Sequence, residues 1–356
     1  MNRFELQRVL AEDTAAVLLR DLPWEKFSGL TFAVTGAGGF LGGYLVRTLL
    51  GLHAAGRVER PVRVLALVRD IDRGRERLGP LTDNPNLELR TWDLNDIALP
   101  NLGICHYVLH AASQASPRFY GSDPVGTLMP NTVGTASLLK ALQSSPDPRG
   151  FLFVSSSEVY GQVNGNCNLA ETDYGQLDPA TVRACYAESK RMGETLCVAW
   201  HQQFGLPTYI VRPFHTYGPG LLANDGRVFS DFAYNVARGE NIVMMSDGSA
   251  RRAFCYASDA IAGFFSVLLN GQPATPYNVA NPAGELSVME LAELLVGLYP
   301  DRELRVDRRM PPEDRNYMTS TFSRLVPDVR RLSSLGWSAQ VTPHQGFRRM
   351  IEAITP

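Results

Sequence analysis

Short apolar runs punctuate the first two thirds of this chain, at 30–34, 62–68, 87–89, 107–109, 150–154 and 208–211. Longer stretches with apolar residues at helical spacing lie between them, at 41–52, 131–142 and 186–201. Strands alternating with helices predict βαβ units and a parallel sheet covered on both faces, the doubly wound, Rossmann-type α/β class. Upstream, 4–22 reads as an amphipathic helix with Leu6, Val9, Leu10, Ala15, Leu18 and Leu19 apolar, expected to cover the domain or a neighbouring subunit. Past Pro213 the alternation gives way to turn-rich segments such as Tyr217-Gly218-Pro219-Gly220 and Ser246-Asp247-Gly248-Ser249, with prolines together at Pro311 and Pro312. The chain thus divides into an N-terminal helix over 1–29, a sheet domain over 30–213 rejoined by 253–280, and a smaller substrate-binding cap from 214–252 and 281–356.

At 356 residues, 45% apolar and 20% charged, the chain has the composition of a globular protein with a large core. Basic and acidic side chains nearly cancel, 34 against 36, so nucleic acid is not an expected partner, while a local basic pocket for a phosphate remains open. Five cysteines (Cys105, Cys167, Cys185, Cys197, Cys255) are irregularly spaced without a C-x-x-C pair, which argues against disulfides and against zinc. The N-terminus lacks a signal-like apolar core, and no stretch is long enough to span a bilayer. A cytoplasmic setting with no membrane partner is the expectation.

Thr35-Gly36-Ala37-Gly38-Gly39-Phe40-Leu41-Gly42 joins the first strand of the sheet domain to its first helix. Glycines at 36, 39 and 42 allow a tight turn, close backbone approach to a pyrophosphate, and close packing of helix on strand. The helix start behind them offers free N–H groups and a positive dipole end. An NAD enzyme is expected to end its second strand on an acid that bonds the ribose. Here the strand ends Leu67-Val68-Arg69-Asp70, with Val68 or Arg69 at that position, and an arginine suits a 2′-phosphate instead. NAD and NADP both stay open on this strand. Asp93, after the next strand, is placed either to meet the adenine edge or to cap its own loop.

Tyr186 and Lys190 stand four residues apart, hence on one helix face. A nearby ammonium, with a bound cofactor's positive nicotinamide, is expected to lower the phenol's pKa from about 10. Tyr186 then serves as the base for a substrate hydroxyl whose carbon gives hydride to the cofactor. The run Ser155-Ser156-Ser157-Glu158-Val159-Tyr160-Gly161 directly follows the strand at 150–154, where a hydroxyl faces the ligand crevice of such sheets.

With Asp93-Leu94, His110-Ala111-Ala112-Ser113, Asn131-Thr132-Val133-Gly134-Thr135 and Arg212-Pro213, these motifs make the chain resemble, from about Leu30 onward, the extended short-chain dehydrogenase/reductases of the NAD-dependent epimerase/dehydratase family. The resemblance implies a nucleotide-sugar substrate with a UDP-sugar favoured, NAD as cofactor, and transient oxidation of the sugar at C4. It also implies a homodimer paired through the helices at 131–142 and 186–201. It places Gly36, Gly38, Gly39, Phe40, Leu41, Gly42, Arg69, Asp93, Leu94, Ala111, Ala112, Ser113, Asn131, Tyr186, Lys190 and Pro213 around the cofactor. Ser156, Tyr186 and Lys190, with Ser157 and Glu158, are the implied catalytic group.

Members of the family diverge after the oxidation. Ser157 stands where 4,6-dehydratases carry the Asp that acts as acid for the departing C6 hydroxyl, which disfavours dehydration. The Ser156-Ser157-Glu158 triplet, Ala115-Ser116-Pro117-Arg118-Phe119-Tyr120, Arg183-Ala184-Cys185-Tyr186 and Asn224-Asp225-Gly226-Arg227-Val228 are similar to UDP-glucuronate decarboxylases. Arg183, one turn before Tyr186, is expected to meet a sugar carboxylate. A C4 ketone lies β to the C6 carboxylate, so the carbonyl is the electron sink and no metal is required. Ser116, Arg227 and Arg252 complete the implied substrate contacts, with paired oxygen contacts to the diphosphate suiting an arginine fork. Two departures stand out: His215 replaces the family's usual asparagine, and Arg324 ahead of Pro327 only loosely matches an arginine that decarboxylases place before Lys-Pro. The same Ser156, Tyr186 and Lys190 would serve a 4-epimerase of a UDP-hexose or UDP-uronate. A non-catalytic NAD(P)-binding protein is the remaining alternative.

Overall fold

The computed structural model describes residues 3–95, 98–163, 168–223, 225–309 and 324–355; Cys167, Asn224, Pro311 and Pro312 lie outside the described residues. Its strands are β1 (Thr31–Thr35), β2 (Arg63–Val68), β3 (Leu87–Thr91), β4 (Tyr107–His110), β5 (Gly150–Val154), β6 (Thr208–Pro213), β7 (His215–Tyr217), β8 (Ile242–Met244), β9 (Arg251–Tyr256), β10 (Pro276–Val279), β11 (Glu285–Ser287), β12 (Val306–Arg308) and β13 (Arg324–Leu325). Its α-helices are α1 (Arg3–Leu18), α2 (Phe40–Ala54), α3 (Ile71–Leu78), α4 (Arg118–Ser122), α5 (Pro124–Met129), α6 (Thr135–Gln143), α7 (Cys185–Phe204), α8 (Val228–Ala237), α9 (Ala257–Asn270), α10 (Val288–Gly297), α11 (Arg330–Ser333) and α12 (Pro343–Ile354).

Seven strands form one parallel sheet in the order β10-β6-β5-β4-β1-β2-β3. Its inner strands are mostly apolar because helices cover both faces. On one face Leu45 and Leu49 of α2, Ile261 and Phe265 of α9 and Val17 of α1 close the core. On the other, Leu138, Leu139 and Leu142 of α6 and Cys197 of α7 do so. Strand order reverses between β1 and β4, which opens a crevice at their C-terminal ends. A separate core joins α8, α10 and α12 to β9 through Phe229, Leu291, Phe347 and Phe254, and Phe40 packs against both this core and that of the sheet.

The predicted elements fall close to the observed ones, and the two departures have local causes. The stretch at 131–142 is not one α-helix: Pro130, lacking an N–H, opens a π-turn over Pro130–Gly134 before α6 begins. The N-terminal helix ends at Leu18, so Leu19 points to solvent, 74% exposed, instead of joining the apolar side. Asp13 is buried there instead, and its carboxylate accepts from the hydroxyls of Tyr44 and Tyr256 (2.8 Å each) and from Arg349 Nη2 (2.8 Å). The helix covers this same chain, tied at once to α2, to the end of β9 and to α12.

Candidate active site

The crevice is fixed at its floor by the last residues of β1 and β4. Thr35 and His110 are register partners, His110 Nδ1 lies 2.7 Å from Thr35 Oγ1, and its Nε2 lies 3.0 Å from the Pro130 carbonyl. Burial, with Lys190 nearby, pushes His110 down to about 3, so the ring is a neutral strut. Ala112 N–H also donates to Thr35 Oγ1 (3.2 Å), drawing the loop after β4 onto the glycine loop. Gly36 adopts φ 64°, and a Cβ there would lie 2.9 Å from Ala112 Cα; one on Gly42 would lie 2.0 Å from the Gly36 carbonyl oxygen. Neither position admits a side chain. Gly39 caps α2, its N–H donating to the Gly36 carbonyl (2.7 Å). Gly38 is looser, with Arg77 Cβ and Gly74 Cα 3.6 Å from where its Cβ would stand. Phe40 and Leu41 begin α2, Phe40 edge-on to Tyr44.

Around this loop several polar atoms wait for a partner. Ser113 Oγ, Gln114 Oε1 and Asn131 Oδ1 are buried and make no hydrogen bond among the described residues. Asn131, in the π-turn, spends its amide nitrogen on the Thr127 carbonyl and Ser189 Oγ (3.0 Å each). Asp93 caps its own loop by accepting from Asn95 N–H (2.9 Å), and Leu94 is buried against Gly134. Pro213 ends β6 beside Val279. Space that only glycine leaves beside a helix start, with unmatched buried atoms along the crevice, fits a dinucleotide.

The serine run after β5 divides into three roles. Ser155 Oγ donates to Glu194 Oε1 (2.6 Å). Ser156 caps the short 3₁₀ turn Ser157–Tyr160 by accepting from Glu158 N–H (3.2 Å), and its hydroxyl is near enough to Tyr186 to favour the phenolate. Ser157 is buried inside the turn. Tyr186 and Lys190 lie one turn apart on α7, both buried, and Lys190 Nζ donates to the Val154 carbonyl (2.7 Å). The Tyr120 ring stacks on that of Tyr186, centroids 5.1 Å apart and planes 14° apart.

The electrostatics correct one expectation. The protein's own groups push Tyr186 up to about 12, through burial first; the Ser156 hydrogen bond and the charge of Arg227 oppose this, and Glu158 adds to it. Lys190 is itself pushed down to about 7 by burial, against the attraction of Glu194. A half-charged ammonium bonded to a carbonyl is a weak neighbour. As a base whose folded pKa lies below its unfolded value of about 10.4, Lys190 costs stability fully below pH 7, and the cost fades as pH rises toward 10.4. Lys190→Met is therefore expected to raise the unfolding free energy by about 2 kcal/mol at pH 6, with a smaller gain at pH 9. Urea denaturation at both pH values checks this; a variant less stable at pH 6 than at pH 9 relative to the parent would contradict it.

The substrate-side residues gather above Tyr186, with one exception. Arg183 Nη2 bonds Glu158 Oε2 (3.0 Å), and its guanidinium lies 4.9 Å over the Tyr120 ring, so the arginine expected to meet a sugar carboxylate is held by a protein carboxylate here. Ser116 Oγ donates to the Asp225 carbonyl, and Arg227 pairs with the Asp225 side chain (Nη2–Oδ2 2.9 Å), which draws the loop before α8 across the crevice. His215, on β7, is pushed down to about 3 by burial and by the charges of Arg252 and Arg227. It is neutral, edge-on to Phe254, and its Nδ1 is buried with no partner among the described residues. Arg252 is buried on β9, where the charge of Glu158 also reaches it.

Arg324 does not join them. It is the register partner of Arg251, whereas Arg252 pairs with Leu325, and successive residues of a strand face opposite ways. Arg324 shares Arg251's face, where both bind Glu285 (2.9 and 2.8 Å). Conversely, sequence reading passed over Glu194, one turn beyond Lys190. It accepts from Ser155 and from Arg212 (Nε 2.9 Å, Nη2 2.6 Å), an arginine with a wholly buried side chain. The spacing Tyr186, Lys190, Glu194 carried that signal, since all three share a helix face.

Comparison with known proteins agrees with this architecture. The sequence profile described as NAD dependent epimerase/dehydratase family matches residues 32–280. Over 327 residues the chain is 33% identical to UDP-glucuronic acid decarboxylase 6 of Arabidopsis thaliana, covering 91% of this chain and 89% of that protein. Among solved structures, the dTDP-glucose 4,6-dehydratase DesIV from Streptomyces venezuelae, with NAD and TYD bound, superposes with a TM-score of 0.76 at 24% identity, covering 91% of this chain and 96% of that one. The UDP-glucuronic acid 4-epimerase of Bacillus cereus, in complex with UDP-glucuronic acid and NAD, does so with a TM-score of 0.74 at 20% identity, covering 91% and 99%.

Proposed function

We propose, from the premise that this chain belongs to the NAD dependent epimerase/dehydratase family, that it is an NAD-dependent nucleotide-sugar enzyme acting as a UDP-glucuronate decarboxylase. The observation that carries the reading is the convergence of Ser156, Tyr186 and Lys190 with the Glu158–Arg183 pair at one wall of the crevice. The dinucleotide, when bound, supplies a reversible hydride acceptor for sugar C4. Tyr186, held by Ser156, takes the C4 hydroxyl's proton during oxidation and returns it on reduction. The C4 ketone lies β to the C6 carboxylate, so the C5–C6 bond breaks and its electron pair moves onto the carbonyl oxygen, next to the hydroxyls of Tyr186 and Ser156. A proton then returns to C5, and carbon dioxide leaves. Arg227 and Arg252 offer charge to the diphosphate, and neutral His215 offers a ring nitrogen to a sugar hydroxyl. Ser157, buried and without a titratable acid, weighs against loss of water.

On this reading 30–213 with 253–280 holds the dinucleotide, while 214–252 with 281–356 holds the sugar nucleotide. Homodimerisation belongs to the same proposal: Val125 and Leu128 on α5 and Met192 and Val198 on α7 are exposed apolar side chains on contacting helices. The leucines of α6, by contrast, are core. The described cysteines are free thiols, which supports a reducing, cytoplasmic setting. Among the described residues no helix is long and apolar enough to cross a membrane.

Purified protein with bound NAD verified, incubated with UDP-glucuronate, is expected to release carbon dioxide and a UDP-pentose, read by mass spectrometry. Absence of both would reject decarboxylation. Ser156, Tyr186 and Lys190 would equally serve one competing reading, 4-epimerisation of a UDP-hexose or UDP-uronate. An isomeric product of unchanged mass would decide for it.

A further inference from the structure

The adenosine end of the crevice is built without the carboxylate that excludes a 2′-phosphate. Leu67 of β2 is the register partner of Thr35, the residue before the glycine loop. Val68 follows, buried, and exposed Arg69 is the first residue after the strand. Asp70, the first acid in the tract, is committed to capping α3 by accepting from Arg73 N–H (3.0 Å). The two acids of α3 are engaged elsewhere, Asp72 with Arg75 (3.6 Å) and Glu76 with Arg3 (3.4 Å).

Three arginines remain on this side. Arg73 and Arg77 are one turn apart on α3, and Arg77 Cβ lies 3.6 Å from where a Cβ of Gly38 would be, so α3 lies against the glycine loop. Burial and the charge of Arg73 act against Arg77's own charge, with Glu76 and Tyr234 opposing them. None of Arg69, Arg73 and Arg77 forms an ion pair among the described residues. A planar guanidinium pairs with phosphate oxygens two at a time, and a phosphate dianion gains from each further cation. A carboxylate in place of Arg69 would repel the same group and select the unphosphorylated ribose.

We propose that Arg69 and Arg73, with Arg77 behind them, form a 2′-phosphate site, so that this chain accepts NADP(H) as well as NAD(H). The proposal rests on the dinucleotide reading above and extends it to the ribose. Calorimetric titration of the purified protein with NADP⁺ and NAD⁺, and with adenosine 2′,5′-bisphosphate against 5′-AMP as minimal probes, tests it by binding alone. NADP⁺ is expected to bind within tenfold of NAD⁺ or more tightly, and the bisphosphate to bind more tightly than 5′-AMP. The Arg69→Ala/Arg73→Ala variant is expected to lower the NADP⁺-to-NAD⁺ affinity ratio at least tenfold. NADP⁺ binding more than tenfold weaker than NAD⁺, or a ratio unchanged in the variant, overturns the proposal. Binding of neither dinucleotide overturns the underlying cofactor reading together with it.

Discussion

Tyr186→Phe is expected to lower kcat about 10³-fold, equivalent to roughly 4 kcal/mol of transition-state stabilisation, while leaving the fold intact. The substitution removes one atom, the hydroxyl that exchanges a proton with the sugar. The ring stays in place because its packing is apolar and aromatic, stacked on Tyr120 at 5.1 Å within a cluster that includes Cys185. Loss of one buried hydroxyl is expected to change stability by no more than about 1 kcal/mol. Burial holds this phenol up near 12 in the protein alone, so its service as the base depends on the positive charge that a bound nicotinamide would add beside it. Steady-state product formation, with a thermal melt of the same sample, measures both quantities. Retention of more than a tenth of the parent kcat would remove Tyr186 from proton transfer.

Asp13→Ala is expected to cost about 3 kcal/mol of stability, an unusually large effect for a residue near the start of a chain. Its carboxylate is 2% exposed and is the shared acceptor of Tyr44 and Tyr256, both buried, and of Arg349. Removing it strands two hydroxyls away from water, each worth about 1–3 kcal/mol when unsatisfied. Arg349 suffers less, because Glu12 also holds it (3.1 Å) at the more exposed edge. Asp13→Asn keeps an acceptor oxygen but loses the charge, and is expected to cost about half as much. The midpoint of urea unfolding at constant m-value reads the loss. A change below 1 kcal/mol for the alanine variant would show that the three partners are not jointly dependent on Asp13.

The doubly wound sheet was legible in the sequence because strand and helix periods are local, and of β1 through β6 all but the edge strand β3 surface as mostly apolar runs. The glycine loop was equally plain, since Gly42 answers to Gly36 within its own turn, although the approach of Ala112 to Gly36 is tertiary. Tyr186 and Lys190 could be placed together for a related reason: a single helix sets their separation whatever surrounds it.

Partners far apart in the chain were another matter. Arg183 reads as a free cation until tertiary packing brings Glu158 within 3.0 Å, and Arg324 reads as a site residue until strand register turns it toward Glu285. Asp13 breaks the apolar side of its helix and looks like a solvated charge, yet it is buried because Tyr44, Tyr256 and Arg349 converge on it from three other elements. The titration of Tyr186 and Lys190 lay beyond the sequence for the same reason. Spacing predicts that two groups meet, whereas the charge each carries depends on how much water the fold takes away from both.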